Sequence, residues 1–399
     1  MRTSSPVPHR LRQAGAASTP LELLFDLVFV VAVATAVSEL AHGIAQGHVT
    51  RSLTSFAMVF FAIWWAWMNF TWFASSYHVD AGWFRFLVMA QMAGVLILAA
   101  GTPQAFEHFD WTAGTLGYVV MRIAAIVQWT HSGRSDPERR TTARRYATGI
   151  GTVQVLWLAR LALPHDLAWT LPSFAALAVL EMAVPAWAEA GSRTQWHPHH
   201  IAERYALFTL ILLGELVAVA VTGVRVELSE AGLTPGLAGV SAASLVLLLA
   251  LWWLYFLSPM AEHLTANREL AFRWGYGHAT LFAALAVLAA GLELSLQVSH
   301  QNHLSLGLVS VGYLVAAPVV TFIVGLWALE AIALRSVRYW NWVLAASLAL
   351  AATPWLALTQ LRAAGVVGAI ALVTALFTWR VAALKVKFDE TQTSATPQS

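Results

Sequence analysis

The sequence predicts an all-α, polytopic membrane protein with about twelve transmembrane helices. Of its 399 residues, 58% are hydrophobic and only 11% are charged, whereas soluble domains carry about 25% charged residues. The apolar residues form blocks of roughly 20 or more, the length that a helix needs to cross ~30 Å of hydrocarbon. The Arg and Lys residues concentrate in alternate loops, as they do in polytopic proteins that keep one side in the cytoplasm.

The apolar blocks predict twelve spans in two sets of six. The first set covers residues 21–44, 52–75, 83–104, 111–131, 144–163 and 167–189. The second set covers 201–223, 238–260, 272–297, 304–328, 340–360 and 364–385. Spans five, six and eleven have the least defined ends, because Pro164, Pro172, Pro185 and Pro354 interrupt or bound the pattern.

These spans divide the chain into two halves, 21–189 and 201–385, joined by an inner loop at 190–200. The polar stretches 1–20 and 386–399 are interpreted as cytoplasmic tails. The first apolar block carries Glu22, Asp26 and Glu39. The apolar core of a signal peptide is short and free of charge, so we expect a retained first helix.

The placement of Arg and Lys predicts that both termini are cytoplasmic. With the N-terminus inside, Arg51, Arg160, Arg225 and Arg362 fall near outer ends, and Arg122 lies within span four. The other 18 of the 23 Arg and Lys residues fall on the inner side, as the positive-inside rule requires.

The two halves resemble each other. Trp64–Trp67 in span two and Trp252–Tyr255 in span eight have similar sequences 188 residues apart, and Phe84–Phe86 and Phe272–Trp274 repeat at the same offset. Six helices per half would give both halves one orientation, which predicts a parallel repeat of the kind used by some transporters. Chance similarity between apolar, Trp-rich helices is the alternative.

Composition excludes several functional classes. Cysteine is absent, which excludes disulfides, thiolate metal sites, iron–sulfur clusters and cysteine nucleophiles. The two lysines are Lys385 and Lys387. A Walker A ATP site is therefore excluded, and a Schiff-base cofactor within the membrane is disfavoured. The net charge of +2 gives no indication of nucleic-acid binding, so the expected partners are membrane lipids and a small ion or solute.

Carboxylates mark span one. Glu22 and Asp26 are four residues apart, so they share one helical face near the inner surface. One interpretation is a helix cap combined with an ion pair to an inner arginine. The other is a site for a proton or cation, since ionisable groups inside membranes commonly mark ion pathways.

Span seven carries a second polar stripe. Arg204 and Glu215 are eleven residues apart, which places them about 20° apart around a helix and about 16 Å apart along it. Glu215 near mid-span is either a functional carboxylate or a hydrogen-bonding group between helices. His199, His200 and Glu203 could ligate a metal, although no second ligand cluster stands out and a solvated histidine group in an inner loop is common.

Three further polar residues are candidates for transport or ion binding. Asn69 lies in a tryptophan-rich stretch and needs a hydrogen-bonding partner. Arg85 and Arg273 occupy equivalent places in the repeat, and we expect them to pair with the carboxylates of spans one and seven. Arg122, Gln128, Glu181 and Glu293 also lie within apolar blocks but belong to no recognisable motif.

Three long motifs resemble the bacterial low temperature requirement protein A family. They are Thr19–Val30, the stretch from Trp64 to Phe106, and His199–Glu215. The resemblance implies a multi-pass protein of the bacterial inner membrane and supports Glu22, Asp26, Asn69, Glu203, Arg204 and Glu215 as motif positions. It implies no particular reaction.

Three functions remain open. The first is a transporter of protons, ions or a small solute, driven by an ion gradient because the sequence has no ATP site. The second is an intramembrane enzyme that acts on lipid, with Glu203, His199 and His200 as acid–base groups. The third is a membrane sensor or assembly factor. The sequence leaves the oligomeric state open.

Overall fold

A computed structural model describes residues 10–11, 18–164, 166–230, 234–300, 306–334, 339–359 and 361–395. These residues contain thirteen α-helices, three 3-10 helices and one pair of two-residue strands. The α-helices are α1 (Pro20–Ala45), α2 (Val49–Ser76), α3 (Gly82–His108), α4 (Thr112–Ser135), α5 (Arg140–Arg160), α6 (Leu167–Glu189), α7 (Pro198–Glu230), α8 (Pro235–Phe256), α9 (Met260–Ala266), α10 (Ala271–His300), α11 (Leu308–Leu334), α12 (Trp340–Ala352) and α13 (Ala363–Ala395). The 3-10 helices are Pro137–Arg139, Arg268–Leu270 and Thr353–Leu358.

The long helices coincide with the predicted spans. Each of the twelve predicted blocks overlaps one helix of at least 13 residues, and α9 is a short additional helix. Within the described residues, ten helical segments are long and apolar enough to cross a membrane. The chain is therefore an all-α, polytopic helical membrane protein.

Helices α4 and α5 are outside those ten segments because polar residues interrupt them. Arg122, Gln128 and His131 lie along α4, and α5 begins with Arg140 and soon carries two further arginines. Their lower hydropathy reduces the number of candidate spans from the predicted twelve to ten.

Helix boundaries follow capping residues and prolines. Asp166 precedes α6 and accepts a hydrogen bond from the backbone N–H of Trp169 at 3.0 Å. Thr234 caps α8 in the same way, and Pro235 occupies its first turn, where proline loses no helical hydrogen bond. Helix α12 ends at Ala352, and Pro354 follows within a 3-10 turn.

By internal contacts the described chain divides into two compact units. Unit 1 comprises Met1–Leu40 and Val49–Phe208, and unit 2 comprises Ala41–His48 and Thr209–Ser399. The predicted halves, 21–189 and 201–385, and their parallel repeat stay predictions.

Unit 1 surrounds helix α2, which carries many buried aromatic side chains, including Trp64, Trp65 and Trp67. Helices α3 and α4 pack closely beside it because glycines face each other across their contact. An ideal Cβ on Gly94 would lie 2.6 Å from the carbonyl oxygen of Gly117, so a larger residue would force these backbones apart.

A short strand pair extends unit 1 beyond α2. Strand β1 (Arg10–Leu11) runs antiparallel to β2 (Tyr77–His78), with Leu11 opposite Tyr77. Strand β2 follows the last residue of α2 directly. The backbone pairing therefore fixes the segment at Arg10–Leu11 to the end of the central helix.

Unit 2 holds its helices together with small residues and a few polar contacts. Gly291 of α10 approaches α11 so closely that a Cβ would lie 2.7 Å from the carbonyl carbon of Leu314. Lys385 of α13 pairs with Glu330 of α11 at 2.7 Å. His278 of α10 is fully buried and lies 3.2 Å from the hydroxyl of Tyr255.

Candidate functional site

A buried ion pair in unit 1 joins α1 to α7. Both Oδ atoms of Asp26 accept from Arg204, at 2.9 Å from Nε and 2.5 Å from Nη2. The Trp67 indole N–H donates to Asp26 Oδ1 at 2.7 Å. All three side chains are no more than 2% exposed. This fork geometry, with two parallel N–H···O bonds, is the strongest arrangement that a carboxylate and a guanidinium form.

Glu22 lies one helical turn before Asp26 and caps α1. Its Oε2 accepts from the backbone N–H of Thr19 at 2.6 Å, while its own N–H donates to Thr19 Oγ1 at 3.3 Å. These reciprocal bonds form a capping box. Glu22 Oε1 lies 3.5 Å from Nε2 of buried His200 and 3.9 Å from Arg204. The carboxylate therefore has both a capping contact and a charged neighbourhood.

A second buried ion pair lies between α4 and α6. Arg122 Nη2 donates to Glu181 Oε2 at 2.5 Å, and both side chains are less than 5% exposed. The hydroxyl of Tyr118 donates to the same oxygen at 2.9 Å. The indole N–H of Trp157 donates to Glu181 Oε1 at 3.2 Å, and that of Trp65 donates to Oε2. Glu181 thus accepts bonds from four side chains on three helices.

A predominantly apolar cavity lies against this second ion pair. Its volume is about 40 Å³, room for about three water-sized groups at roughly 10–15 Å³ each. Tyr118 and Trp157, which both bind Glu181, form part of its wall. Trp111, Phe174 and Arg160 line it as well.

A smaller cavity of about 10 Å³, whose lining includes several polar side chains, lies among α2, α3 and α4. Gln91 Nε2 donates to Gln128 Oε1 at 2.8 Å beside it. Asn69, which also lines this cavity, donates to the backbone carbonyl of Trp65 at 2.7 Å. Arg122 belongs to the same wall. Polar side chains therefore line this cavity from Arg122, a member of the second ion pair, to Asn69 of α2.

Unit 2 contains two half-buried carboxylates that lie near enough to interact electrostatically. They are Glu215 of α7 and Glu293 of α10. Glu293 accepts a weak hydrogen bond from Gln297 Nε2 at 3.4 Å. No arginine or lysine forms an ion pair with either carboxylate among the described residues. The like charges of Glu215 and Glu293 therefore lie near each other within unit 2.

Comparison with known proteins assigns the chain to one family. A family model described as bacterial low temperature requirement A protein (LtrA) matches residues 17–376. The chain belongs to the LtrA family. It is also 25% identical over 299 residues to an uncharacterized protein of Rhizobium meliloti (strain 1021), and the alignment covers 70% of each chain. The resemblance predicted from the sequence motifs is confirmed.

The structure brings several of the expected LtrA motif residues together. Glu22, Asp26 and Arg204 form one buried group, which agrees with the interpretation of a helix cap plus an ion pair to an inner arginine. Glu203 makes a separate contact, in which its Oε1 accepts a hydrogen bond from the backbone N–H of Ser18 at 3.4 Å. Glu215 belongs to unit 2 and has its own environment.

The predicted pairing of Arg85 and Arg273 with the carboxylates of spans one and seven is wrong. Arg85 is exposed and pairs with Asp80 at 2.5 Å. Arg273 is exposed and forms no ion pair with a described residue. Both lie in the first turn of their helices, at the edge of the apolar region, where long side chains reach water. Arg204, which lies in the second turn of α7 and is fully buried, supplies the charge that Asp26 requires.

The two histidines of the predicted metal site have different environments. His199 is exposed, whereas His200 is buried beside Glu22. No cluster of three or more His, Asp or Glu side chains with metal-binding geometry occurs in the described ranges.

The buried pair of Arg122 and Glu181 is the part of the candidate site that the sequence did not predict. The two residues are 59 positions apart and share no motif. Each was visible only as an isolated ionisable residue inside an apolar block, which is itself a signal because such residues are costly in a membrane. The sequence could not show that they were partners, since that depends on how α4 packs against α6.

Proposed function

We propose that this LtrA protein is a transporter of protons, ions or a small solute, driven by an ion gradient, and that unit 1 contains its polar pathway. One observation carries the proposal. Trp65 and Trp67, on α2, donate to the carboxylates of two separate buried ion pairs. Polar groups therefore occur on both sides of the central helix of an apolar unit.

The cost of burying charges favours a functional role for these groups. Removing two charges from water costs several kcal/mol per ion, and a buried pair commonly adds little net stability. A hydrophobic substitute would serve packing as well, so ionisable groups in membrane segments usually mark ion or substrate pathways. The cavities beside Tyr118 and Asn69 add space to this pathway.

Flux measurements on purified protein in liposomes test the proposal. Wild-type protein is expected to give gradient-dependent flux with at least one member of a broad panel of ions and small solutes. Asp26→Asn and Glu181→Gln should reduce that flux to background. Glu138→Gln is the matched control, because the Glu138 side chain is 82% exposed. Background flux by wild-type protein across the whole panel would overturn the proposal.

The proposed topology has twelve spans, with α4 and α5 completing the ten candidate segments and both termini in the cytoplasm of a bacterial inner membrane. The native absence of cysteine allows single cysteines to be labelled without background. Ser135→Cys, at the end of α4 that leads to α5, should react only with membrane-permeant reagents in intact cells. Thr112→Cys, at the other end of α4, should react with impermeant reagents. Reaction of both sites from the same side would exclude a spanning α4.

We propose further that the two six-helix sets are a parallel repeat. The Ala-Ala-Gly sequences of α3 and α10 support it, because each final glycine abuts the following helix. A Cβ on Gly101 would lie 2.7 Å from the Cβ of Ala113, and Gly291 similarly faces Leu314. If large residues are tolerated at Gly291 but not at Gly101, the two positions are not equivalent and the repeat loses this support.

The contact of His200 with Glu22 favours a second candidate, an intramembrane enzyme that acts on lipid. Nε2 of His200 lies 3.5 Å from Glu22 Oε1, slightly longer than a hydrogen bond, and catalytic acid–base contacts are often long until substrate binds. Deletion of the gene should then change the lipid profile, and wild type but not His200→Ala should restore it. An unchanged profile would exclude this candidate. A sensor or assembly role would account for a protein with neither flux nor an effect on lipids.

A further inference from the structure

Arg160, the last residue of α5, is a buried cation that no carboxylate neutralises among the described residues. Its side chain is 7% exposed. Its guanidinium carbon lies 5.9 Å from the ring centroids of Trp111, Trp157 and Phe174. Its Nε donates to Ser173 Oγ at 3.1 Å. Aromatic faces stabilise a guanidinium, but they do not cancel its charge.

Arg160 also lines both cavities at this end of unit 1. The larger is the 40 Å³ cavity already described, whose walls include Met58, Phe61 and Phe174. The smaller, of about 10 Å³, lies on the side of Thr170 and Ser173 and has room for about one water molecule. The guanidinium therefore stands between an apolar cavity and a small polar one.

We propose that the larger cavity binds a small organic anion with an apolar body, of the size of a short-chain monocarboxylate. The carboxylate would contact Arg160, which presents N–H donors in the fork geometry that matches a carboxylate. The alkyl part would lie against Met58 and Phe61. Binding would supply the negative charge that this buried guanidinium lacks.

The size and lining of the cavity favour this ligand over others. A volume of about 40 Å³ has room for about three heavy atoms, which suits the alkyl carbons of a short monocarboxylate whose carboxylate lies at Arg160 in the wall. It is too small for a long acyl chain. An inorganic anion would leave the apolar walls unoccupied. A neutral solute of the same shape would leave Arg160 without a counter-charge. A monocarboxylate of three or four carbons satisfies both parts of the site.

The proposal rests on the proposed function in one respect, because it names the class of solute that unit 1 would transport. Tyr118 connects the two, since it lines the cavity and its hydroxyl donates to Glu181 at 2.9 Å. A ligand in the cavity would therefore contact Tyr118, which is hydrogen-bonded to the second ion pair. Binding itself needs no gradient, so it can be measured independently of transport.

Calorimetric titration of the full-length protein in detergent with butyrate tests the site. Wild-type protein should bind butyrate, and butyramide, its neutral analogue, should bind about tenfold or more weakly. Arg160→Gln should weaken butyrate binding by a similar factor. Arg51→Gln is the matched control, since Arg51 also stacks on a ring, that of Phe109 at 4.4 Å, but does not line the cavity. This variant should retain wild-type affinity.

A second variant tests the cavity without removing the charge. Gly114 lines the cavity, and a Cβ placed on it would meet no atom within 4 Å. Gly114→Leu should therefore fold normally, occupy the free space and abolish butyrate binding while Arg160 is intact. If Arg160→Gln does not fold, Gly114→Leu still tests whether butyrate binds in this cavity.

Three results would overturn the proposal. They are equal binding of butyrate and butyramide, equal loss in Arg160→Gln and Arg51→Gln, and full binding by Gly114→Leu. Binding of octanoate with much higher affinity than butyrate would instead indicate a lipid site and would also reject the small-solute proposal. If butyrate binds but no flux of any solute occurs, the site stands and the transport function fails. If flux of other solutes occurs without butyrate binding, the transport function stands and the butyrate site is rejected.

Discussion

Trp65 and Trp67 are two residues apart on α2, and each donates its indole N–H to the carboxylate of a different buried ion pair. Trp65 donates to Glu181 and Trp67 to Asp26. Two positions along a helix differ by about 200° in direction, so the two tryptophans leave α2 on opposite sides. The central helix of unit 1 thus holds an ion pair on each side.

Loss of either indole N–H should destabilise the protein. Trp65→Phe and Trp67→Phe each keep an aromatic ring but leave a buried carboxylate with one donor fewer, which should cost about 1.5–3 kcal/mol. The check is the midpoint of thermal unfolding in detergent. Trp169→Phe is the control, because Trp169 is 56% exposed, and its midpoint should not change. Equal midpoints for all three variants would contradict the importance of the indole bonds.

The Asp26–Arg204 pair should show strong coupling in a double-mutant cycle. Asp26→Asn alone leaves the buried Arg204 with only the more distant carboxylate of Glu22, 3.9 Å away, and should cost about 3–5 kcal/mol. Asp26→Asn combined with Arg204→Met removes both charges, so it should be more stable than Asp26→Asn alone. Unfolding midpoints of the four proteins in the cycle measure this.

The exposed pair of Arg85 and Asp80 supplies the control for that cycle. Both side chains are more than half exposed, and such pairs contribute about 0–1 kcal/mol. Asp80→Asn should therefore change the midpoint little. If the buried cycle gave coupling as small as that of the exposed pair, Arg204 would not be the effective partner of Asp26.

The sequence predicted the helices better than the contacts between them. The apolar blocks predicted the positions of all twelve long helices, and ten of the described helical segments meet the requirement for about 20 apolar residues per crossing. The sequence also placed Glu22 and Asp26 on one face, since that follows from helical periodicity. The partner of Asp26 was misassigned to Arg85, because charge alone does not show which arginine reaches the interior.

The ion pair of Arg122 and Glu181 also could not be predicted from the sequence. Nothing in the order of residues connects α4 to α6 at this point, and α5 lies between them in the chain. The contact arises from three-dimensional packing, in which Tyr118 and Trp157 also converge on Glu181. Periodicity within one helix carries no information about such an arrangement.

Close helix packing predicts different outcomes at two glycines. Gly94→Ala would place a Cβ 2.6 Å from the carbonyl oxygen of Gly117, so α3 and α4 would have to separate, at a cost of about 1–3 kcal/mol. Gly114→Ala meets no atom within 4 Å and should be tolerated. Unfolding midpoints of the two variants should therefore differ, with Gly94→Ala lower. Equal midpoints would indicate that the helix contact adjusts without cost.

Glu22 caps α1 and also lies beside His200 and Arg204, and two substitutions distinguish these two roles. Glu22→Gln keeps the side-chain oxygen that accepts from the N–H of Thr19, because glutamine serves in a capping box as glutamate does. Glu22→Ala removes it, and loss of a cap costs about 1 kcal/mol. We expect Glu22→Gln to unfold at a higher temperature than Glu22→Ala. If the two variants unfold together, well below wild type, the charge of Glu22 beside His200 and Arg204 matters more than its cap. If neither variant differs from wild type, the start of α1 is held by other contacts, such as the fork between Asp26 and Arg204.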